Sequence, residues 1–330
     1  MNAARLVTRR NFSATMGSAL IAMTAPRLAQ ALGDKPLQIV VGYPPGGSTD
    51  AFARLISVPL SSALNGRNVL VRNVPGAGGQ IAATTLLREG GDGSTVLAIN
   101  QPDLNLAIAR GNGGFKATDF RVIMADLHEP RVFLVKSDSG LDTFAKFVAA
   151  AKAKPGALSI SVTGGSAQET MAHWLVSQLK LDVLVVNYKG GAESITALLS
   201  GDVTANLGDD FVRSTMRSKT TALFIGADKK SPRWQEAPTL ESLLAGYGIR
   251  MPSPHFLARY GVYVVPAAFA EKNPKAYLEL QQSMLKARGS SVFTEYIAKN
   301  NLTDLSLGTA GEQYEPVFAA EMKEIERLAR

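Results

Sequence analysis

The apolar run Leu37 to Val41 breaks into Gly42-Tyr43-Pro44-Pro45-Gly46-Gly47-Ser48-Thr49-Asp50, a turn whose residue types suit an anion. The prolines cannot continue a strand ladder, Gly46-Gly47 lets the backbone approach a ligand with no Cβ in the way, and Ser48 or Thr49 is placed to cap a following helix. First-turn N–H groups and the helix dipole then point out of the turn, so backbone donors alone can hold a carboxylate or phosphate. The same pattern also serves as an ordinary strand-to-helix connection. It recurs at Thr163-Gly164-Gly165-Ser166, where Ser166 and Glu169 have capping-box spacing, and at Asn187-Tyr188-Lys189-Gly190-Gly191. Three such units, each with small or hydroxyl residues at the helix start, are more than packing alone requires. Tyr188 also reads as a core aromatic at a strand end and Lys189 as a solvated turn charge. Leu207-Gly208-Asp209-Asp210 adds two acids near a further strand end. They would repel a dicarboxylate or bind an ammonium or ring nitrogen, and a solvated turn is the plainer reading.

Catalytic and metal chemistry find little footing. His128, His173 and His255 are scattered, with no HExxH or paired metal spacing, and neither a Gly-x-Ser-x-Gly elbow nor a Walker loop occurs. Gly76-Ala77-Gly78-Gly79-Gln80-Ile81 lacks the last glycine of a dinucleotide fingerprint. No catalytic residue, metal or cofactor is expected, and a Rossmann-like enzyme is the weaker alternative to a binding protein.

The ends set the compartment. Thr8-Arg9-Arg10-Asn11-Phe12 precedes the weakly apolar run Ala14 to Ala25, and Ala29-Gln30-Ala31 offers a small-x-small cleavage site, so residues 1–31 read as a Tat-type signal peptide and the mature chain as periplasmic. That segment holds four arginines and no acid, and its removal lowers the formal charge from +7 to +3. No basic cluster interleaved with aromatics points to nucleic acid. No apolar run of membrane-spanning length follows residue 31. The absence of cysteine excludes disulfides and thiolate metal sites, so a chain with 46% hydrophobic residues must rely on its core.

The elements that position these turns alternate as in an α/β protein with largely parallel sheets. Strands are expected at Leu37–Gly42, Asn68–Asn73, Thr95–Ile99, Arg131–Lys136, Leu158–Val162, Val183–Tyr188, Thr221–Ala227 and Gly261–Val265. Helices are expected at Asp50–Leu64, Gln80–Glu89, Leu141–Lys152, Gln168–Leu179, Glu193–Leu199, Pro274–Arg288 and Glu312–Leu328, with Gln101–Thr118 irregular. An out-and-back path between two α/β lobes would place a cleft at the strand ends. No heptad calls for a dimer, and a monomer is expected.

Taken in order, Tyr43-Pro44-Pro45-Gly46-Gly47-Ser48-Thr49-Asp50, Asn73-Val74-Pro75-Gly76-Ala77-Gly78-Gly79, Asp92-Gly93-Ser94-Thr95-Val96-Leu97, Val186-Asn187-Tyr188-Lys189-Gly190-Gly191 and Ala237-Pro238-Thr239-Leu240-Glu241 resemble the Bug family, the extracytoplasmic receptors of tripartite tricarboxylate transporters. Ser94 stands where the family usually has Tyr, and Asn187 where it has Pro. The resemblance implies a type II periplasmic-binding fold closing on a small carboxylate, with 32–131 and 221–330 as lobe one, 132–220 as lobe two, and hinge strands near Val132–Lys136 and Thr221–Ala227. It implies one wall from Tyr43 to Thr49, the other from Thr163 to Ser166 and Asn187 to Gly191, and delivery to a two-subunit membrane transporter. A sensor kinase's outer domain is the alternative partner.

Arg9→Lys/Arg10→Lys should leave uncleaved precursor in the cytoplasm, followed by immunoblot of cell fractions. Normal processing in a strain lacking the Tat translocase would count against this reading.

Overall fold

The computed structural model describes residues 35–227, 229–252 and 258–328; the signal segment and His255 lie outside the described residues. Strand β1 (Leu37–Val41) runs parallel between β2 (Val69–Asn73) and β3 (Thr95–Gln101), with α1 (Ser48–Ala63) and α2 (Gln80–Glu89) as crossovers. After the cis Gln101–Pro102 peptide comes α3 (Asp103–Arg110), closed by Gly111 in the left-handed region. The stretch expected to be irregular therefore contains a helix, whose buried Leu104, Leu106 and Ala107 pack inward.

One strand serves both lobes. In β4 (Phe120–Lys136), the part from Phe120 to Pro130 pairs antiparallel with β9 (Ala258–Pro266), and β9 pairs in turn with β3. From Arg131 onward β4 pairs with β7 (Ala205–Asp209) on one side and β8 (Thr220–Gly226) on the other. β7 continues in parallel to β5 (Leu158–Thr163) and β6 (Val183–Tyr188), with α4 (Phe144–Ala153), α5 (Ala167–Gln178) and α6 (Gly191–Ser200) as the second lobe's helices. The short α7 (Asp210–Ser214) follows β7, and α8 (Leu240–Ala245) follows β8. The helices α9 (Ala267–Lys272), α10 (Pro274–Arg288), α11 (Ser291–Lys299) and α12 (Gly311–Leu328) belong to the first lobe, where β10 (Ser306–Ala310) pairs with β4. No helix among the described residues is long and apolar enough to cross a membrane.

β4 extends well upstream of the expected Arg131–Lys136 because polar residues inside it are buried and paired. Asp126 accepts from Arg288 Nε at 2.6 Å, and Glu129 pairs with Arg259. Apolar side chains divide between the lobes: Ile39, Ile56, Leu97, Ile99, Val264 and Phe293 in one cluster, Phe133, Phe144, Phe147, Leu207 and Phe224 in a second. Leu240, Leu244, Ile249 and Met251 pack on that second cluster, and Ile225 and Trp234 on the opposite face of the same sheet. The strand expected as a hinge at Thr221–Ala227 thus forms an edge of the second lobe, and the return to the first lobe is made by β9. Its Ala258 aligns with Pro130, next to the residue where β4 changes partners.

Phe133, fully buried, stacks on Phe224 with ring centroids 5.0 Å apart and meets the edge of Phe147 at 5.1 Å. Phe133→Ala should cost about 3–5 kcal/mol, read from urea unfolding. A loss below about 1 kcal/mol would mean that this cluster does not hold the second lobe together.

Candidate ligand site between the lobes

The carboxyl ends of β1, β3, β5 and β7 meet where the lobes face each other. Gly47, extended at φ −87° and ψ 169°, is the N-cap of α1, and no side chain caps that helix. The cap expected from Ser48 or Thr49 is therefore not made. Both sit inside the first turn, where Ser48 Oγ donates to Glu129 Oε1 at 3.4 Å and Thr49 Oγ1 to Asn100 Oδ1 at 2.8 Å. Asp50 closes the turn by accepting from Gly46 N at 3.0 Å and Asn73 Nδ2 at 2.9 Å. Burial alone would raise the Asp50 pKa, but hydrogen bonds from Arg54, Asn73 and Gly46 hold it below the usual value.

Tyr43 links the strand ends. Its hydroxyl donates to Asp103 Oδ2 at 2.7 Å and accepts from Asn100 N at 3.2 Å, and burial followed by the Asp103 charge keeps it far from ionising. Asp103 Oδ1 accepts from Ala167 N at 2.7 Å, so a first-lobe carboxylate holds the first turn of second-lobe helix α5. Across the same junction Arg110 Nη1 donates to Gly165 O at 2.7 Å, and a Cβ on Gly78 would lie 2.3 Å from that oxygen. These contacts join the two lobes directly.

Between them lies a cavity walled by Tyr43, Pro44, Gly47, Ser48, Thr49, Asn100, Asp103, Thr163, Ser166, Gln168, Gly191, Asp209 and Arg213. Its volume of about 30 Å³ gives room for a water or two. Tyr43 and Thr163 also border a roomier outer pocket of about 320 Å³, formed with Gly42, Pro75 to Gly78, Gly164 and Lys189.

Asp209 faces the inner cavity already neutralised, since Arg131 pairs with it and Gln168 Nε2 donates to it at 3.2 Å. Burial would raise its pKa, but Arg131, Arg259 and Arg213 hold it below the ordinary value. Asp210 turns away and accepts from Trp234 Nε1 at 2.7 Å, Ser231 Oγ at 2.9 Å and Arg233 Nε at 2.9 Å. The repulsion expected from two bare acids is thereby removed.

Residues 52–327 match the tripartite tricarboxylate transporter family receptor. The chain belongs to that family. It is 30% identical over 325 residues to the UPF0065 protein in the gbd 5′ region of Cupriavidus necator, covering 95% of this chain and 94% of that one. Among solved structures it resembles MatC from Rhodopseudomonas palustris with bound malate, with a TM-score of 0.77 at 20% identity over 90% of this chain and 99% of that one. The periplasmic binding protein BugD is similar at a TM-score of 0.76 and 21% identity, over 90% and 96% of the two chains. The receptor thus has the two-lobed α/β fold of periplasmic binding proteins, and a family of receptors points away from the Rossmann-like enzyme.

Of the residues expected at the ligand, Tyr43, Pro44, Gly47, Ser48, Thr49, Ser166 and Asp209 wall the inner cavity, while Gly164 and Lys189 border the outer pocket. Five have other work. Gly46, at φ +88°, supplies the turn held by Asp50; Gly165 presses on Gly78; and Gly190 lies beneath Pro44, whose Cδ would be 3.0 Å from a Cβ there. Asn187 Nδ2 donates to Glu169 Oε1 at 2.6 Å, and half-buried Tyr188 packs on the cluster containing Trp234. Glu169 Oε2 also accepts from Gly165 N at 2.7 Å, so the capping-box acid serves the residue before the Ser166 cap.

Asn100, Asp103, Gln168 and Arg213 are cavity residues that the sequence reading missed. Asn100 and Asp103 fall in the Asn100-Gln101-Pro102-Asp103 run at a strand end, a place where polar residues signal a cleft. Arg213, four residues after Asp209, has the spacing of a solvated helical ion pair, which concealed it.

Gly78→Val should block closure, because Gly78 has φ +63° and its Cβ would strike the backbone of Gly165. The expected result is at least a tenfold weaker ligand affinity and no ligand-dependent compaction by small-angle scattering. Compaction equal to the parent's would show that the lobes do not close along this contact.

Proposed function

We propose that this receptor captures a small carboxylate-containing metabolite in the interlobe cleft of an exported, periplasmic protein and delivers it to the two-subunit membrane portion of a tripartite tricarboxylate-type transporter. The observation that carries this reading is the uncapped amino terminus of α1, bordering a cavity in which the acid at the opposite strand end is already paired with arginine. Such a helix start offers free N–H groups and the positive end of the dipole to a carboxylate, with bridging waters completing the shell. Tyr43, Pro44, Gly47, Ser48 and Thr49 would form one side of the site, and Thr163, Ser166 and Asp209 the other. MatC, similar in fold, was solved with malate bound, which accords with a carboxylate ligand here. The Arg9-Arg10 and Ala29-Gln30-Ala31 segments support the periplasmic placement.

A thermal-shift series over mono-, di- and tricarboxylates, amino acids and aromatic acids should find a ligand that adds about 2.7 kcal/mol of stability at 100 times its Kd. A Cβ built on Gly47 meets no protein atom within 4 Å, and the backbone there is ordinary for any residue, so Gly47→Val tests the ligand rather than the fold. By calorimetry it should weaken binding more than tenfold, about 1.4 kcal/mol, and Ser48→Ala by about 0.5–1.5 kcal/mol. No stabilisation by any carboxylate, or parent-like affinity in Gly47→Val, would place the site elsewhere.

A further inference from the structure

Three guanidinium groups and two carboxylates are buried together where the lobes meet. Arg131 pairs with Asp209 and Arg259 with Glu129, while Arg259 Nε lies 3.5 Å from the second Asp209 oxygen. Arg213 is the third. It is 1% exposed, and the partners it has are neutral: Nε donates to Asn206 Oδ1 at 3.1 Å, and Nη2 to Ser194 Oγ at 3.1 Å and Gly191 O at 3.2 Å. Among the described residues no carboxylate oxygen lies within 4.0 Å of its nitrogens, and Nη1 has no hydrogen-bond partner.

A buried cation held only by neutral acceptors retains most of its desolvation cost, which an incoming anion would offset. Burial draws the Arg213 pKa below the ordinary arginine value despite the opposing charges of Asp209 and Glu129, which make no ion pair with it, whereas Arg233 and Arg259 are held above it by the carboxylates that pair with them. Location completes the argument. Arg213 walls the inner cavity, and its Nη1 would be 2.9 Å from a Cβ on Gly191, the first residue of α6, a helix that has no side-chain cap. The uncapped start of α1 borders the same cavity from the other lobe. Two positive poles therefore face one small space, one from each lobe, with Asp209 and Glu129 paired to other arginines and Asp103 taken by the Tyr43 hydroxyl and Ala167 N.

Building on the proposed carboxylate receptor, we propose that Arg213 is the counter-charge for a second anionic group of the ligand, making the receptor selective for dianions: one carboxylate at the α1 amino terminus and the other paired with Arg213. Arg213 is then a specificity-determining residue, and its neutral hydrogen bonds to Asn206, Ser194 and Gly191 orient the guanidinium without quenching its charge.

The test is calorimetry with succinate, glutarate and adipate, each beside its monomethyl ester, which keeps the carbon chain and removes one charge. The parent should bind its best diacid at least thirtyfold more tightly than the matching monoester. Arg213→Gln should lose thirtyfold or more on the diacid, so that diacid and monoester affinities converge to within threefold, and Arg213→Lys should recover part of the difference. If Arg213→Gln weakens both ligands by the same factor, Arg213 is only a structural brace and the proposal fails. A parent preference below threefold overturns it without any variant, which covers the case of Arg213→Gln failing to fold. If neither diacid nor monoester binds the parent while another class of compound does, the carboxylate reading itself falls and the dianion inference with it.

Discussion

Arg259, on the strand that returns the chain to the first lobe, reaches much of what surrounds the cleft. It pairs with Glu129 on β4, faces Asp209 on β7, donates to Asn100 Oδ1 at 2.7 Å, and lies 3.4 Å from Thr49 Oγ1 in the first turn of α1. Both lobes and the candidate site thus share one buried guanidinium. Removing a partner from such a group leaves an uncompensated buried charge, which costs several kcal/mol, whereas the intact set is far less costly. The polar residues inside β4 follow from this constraint. Glu129 and Arg131 are two residues apart on β4 and so point to the same face, where they meet Arg259 and Asp209, themselves 3.5 Å apart.

The same electrostatics shape the cleft. Asp209 and Asp210 are consecutive, yet one borders the cavity under two arginines and the other is drawn away by Arg233, Trp234 and Ser231. With Asp209 and Asp210 paired and Asp103 hydrogen-bonded to Tyr43 and Ala167 N, the cavity also receives an uncapped helix start from each lobe and the Arg213 guanidinium.

The contact between the lobes relies on close backbone approach. Gly78 against Gly165, and Pro44 over Gly190, are contacts that a Cβ would obstruct, and Asp103 joins them by accepting from the start of α5. The glycines in the turns therefore divide between two roles, some opening a helix start toward the cavity and others letting one lobe's backbone touch the other's. Sequence pattern alone does not separate these roles, since both require the absence of a side chain.

Local order was legible from the sequence: α2, β6 and α10 have the bounds that periodicity and breakers indicate, and the Gly turns open helices as expected. The order and spacing of those turns also carried the family and its two-lobed fold. These properties depend on neighbours in sequence, through apolar period, Pro and Gly conformation, and strand-to-helix chemistry. What only tertiary structure decided depends on partners far along the chain. Phe120 to Pro130 is strand because β9 and Arg259 satisfy it; β8 belongs to the second lobe because its partner is the later half of β4; and Asp103 to Arg110 is helix where the composition suggested a loop. Asp209 and Arg213, four residues apart, look like a surface ion pair in sequence. Only the burial of both beside Arg131, Arg259 and Asn206 shows that the acid pairs with Arg131 and that, among the described residues, the arginine makes no ion pair.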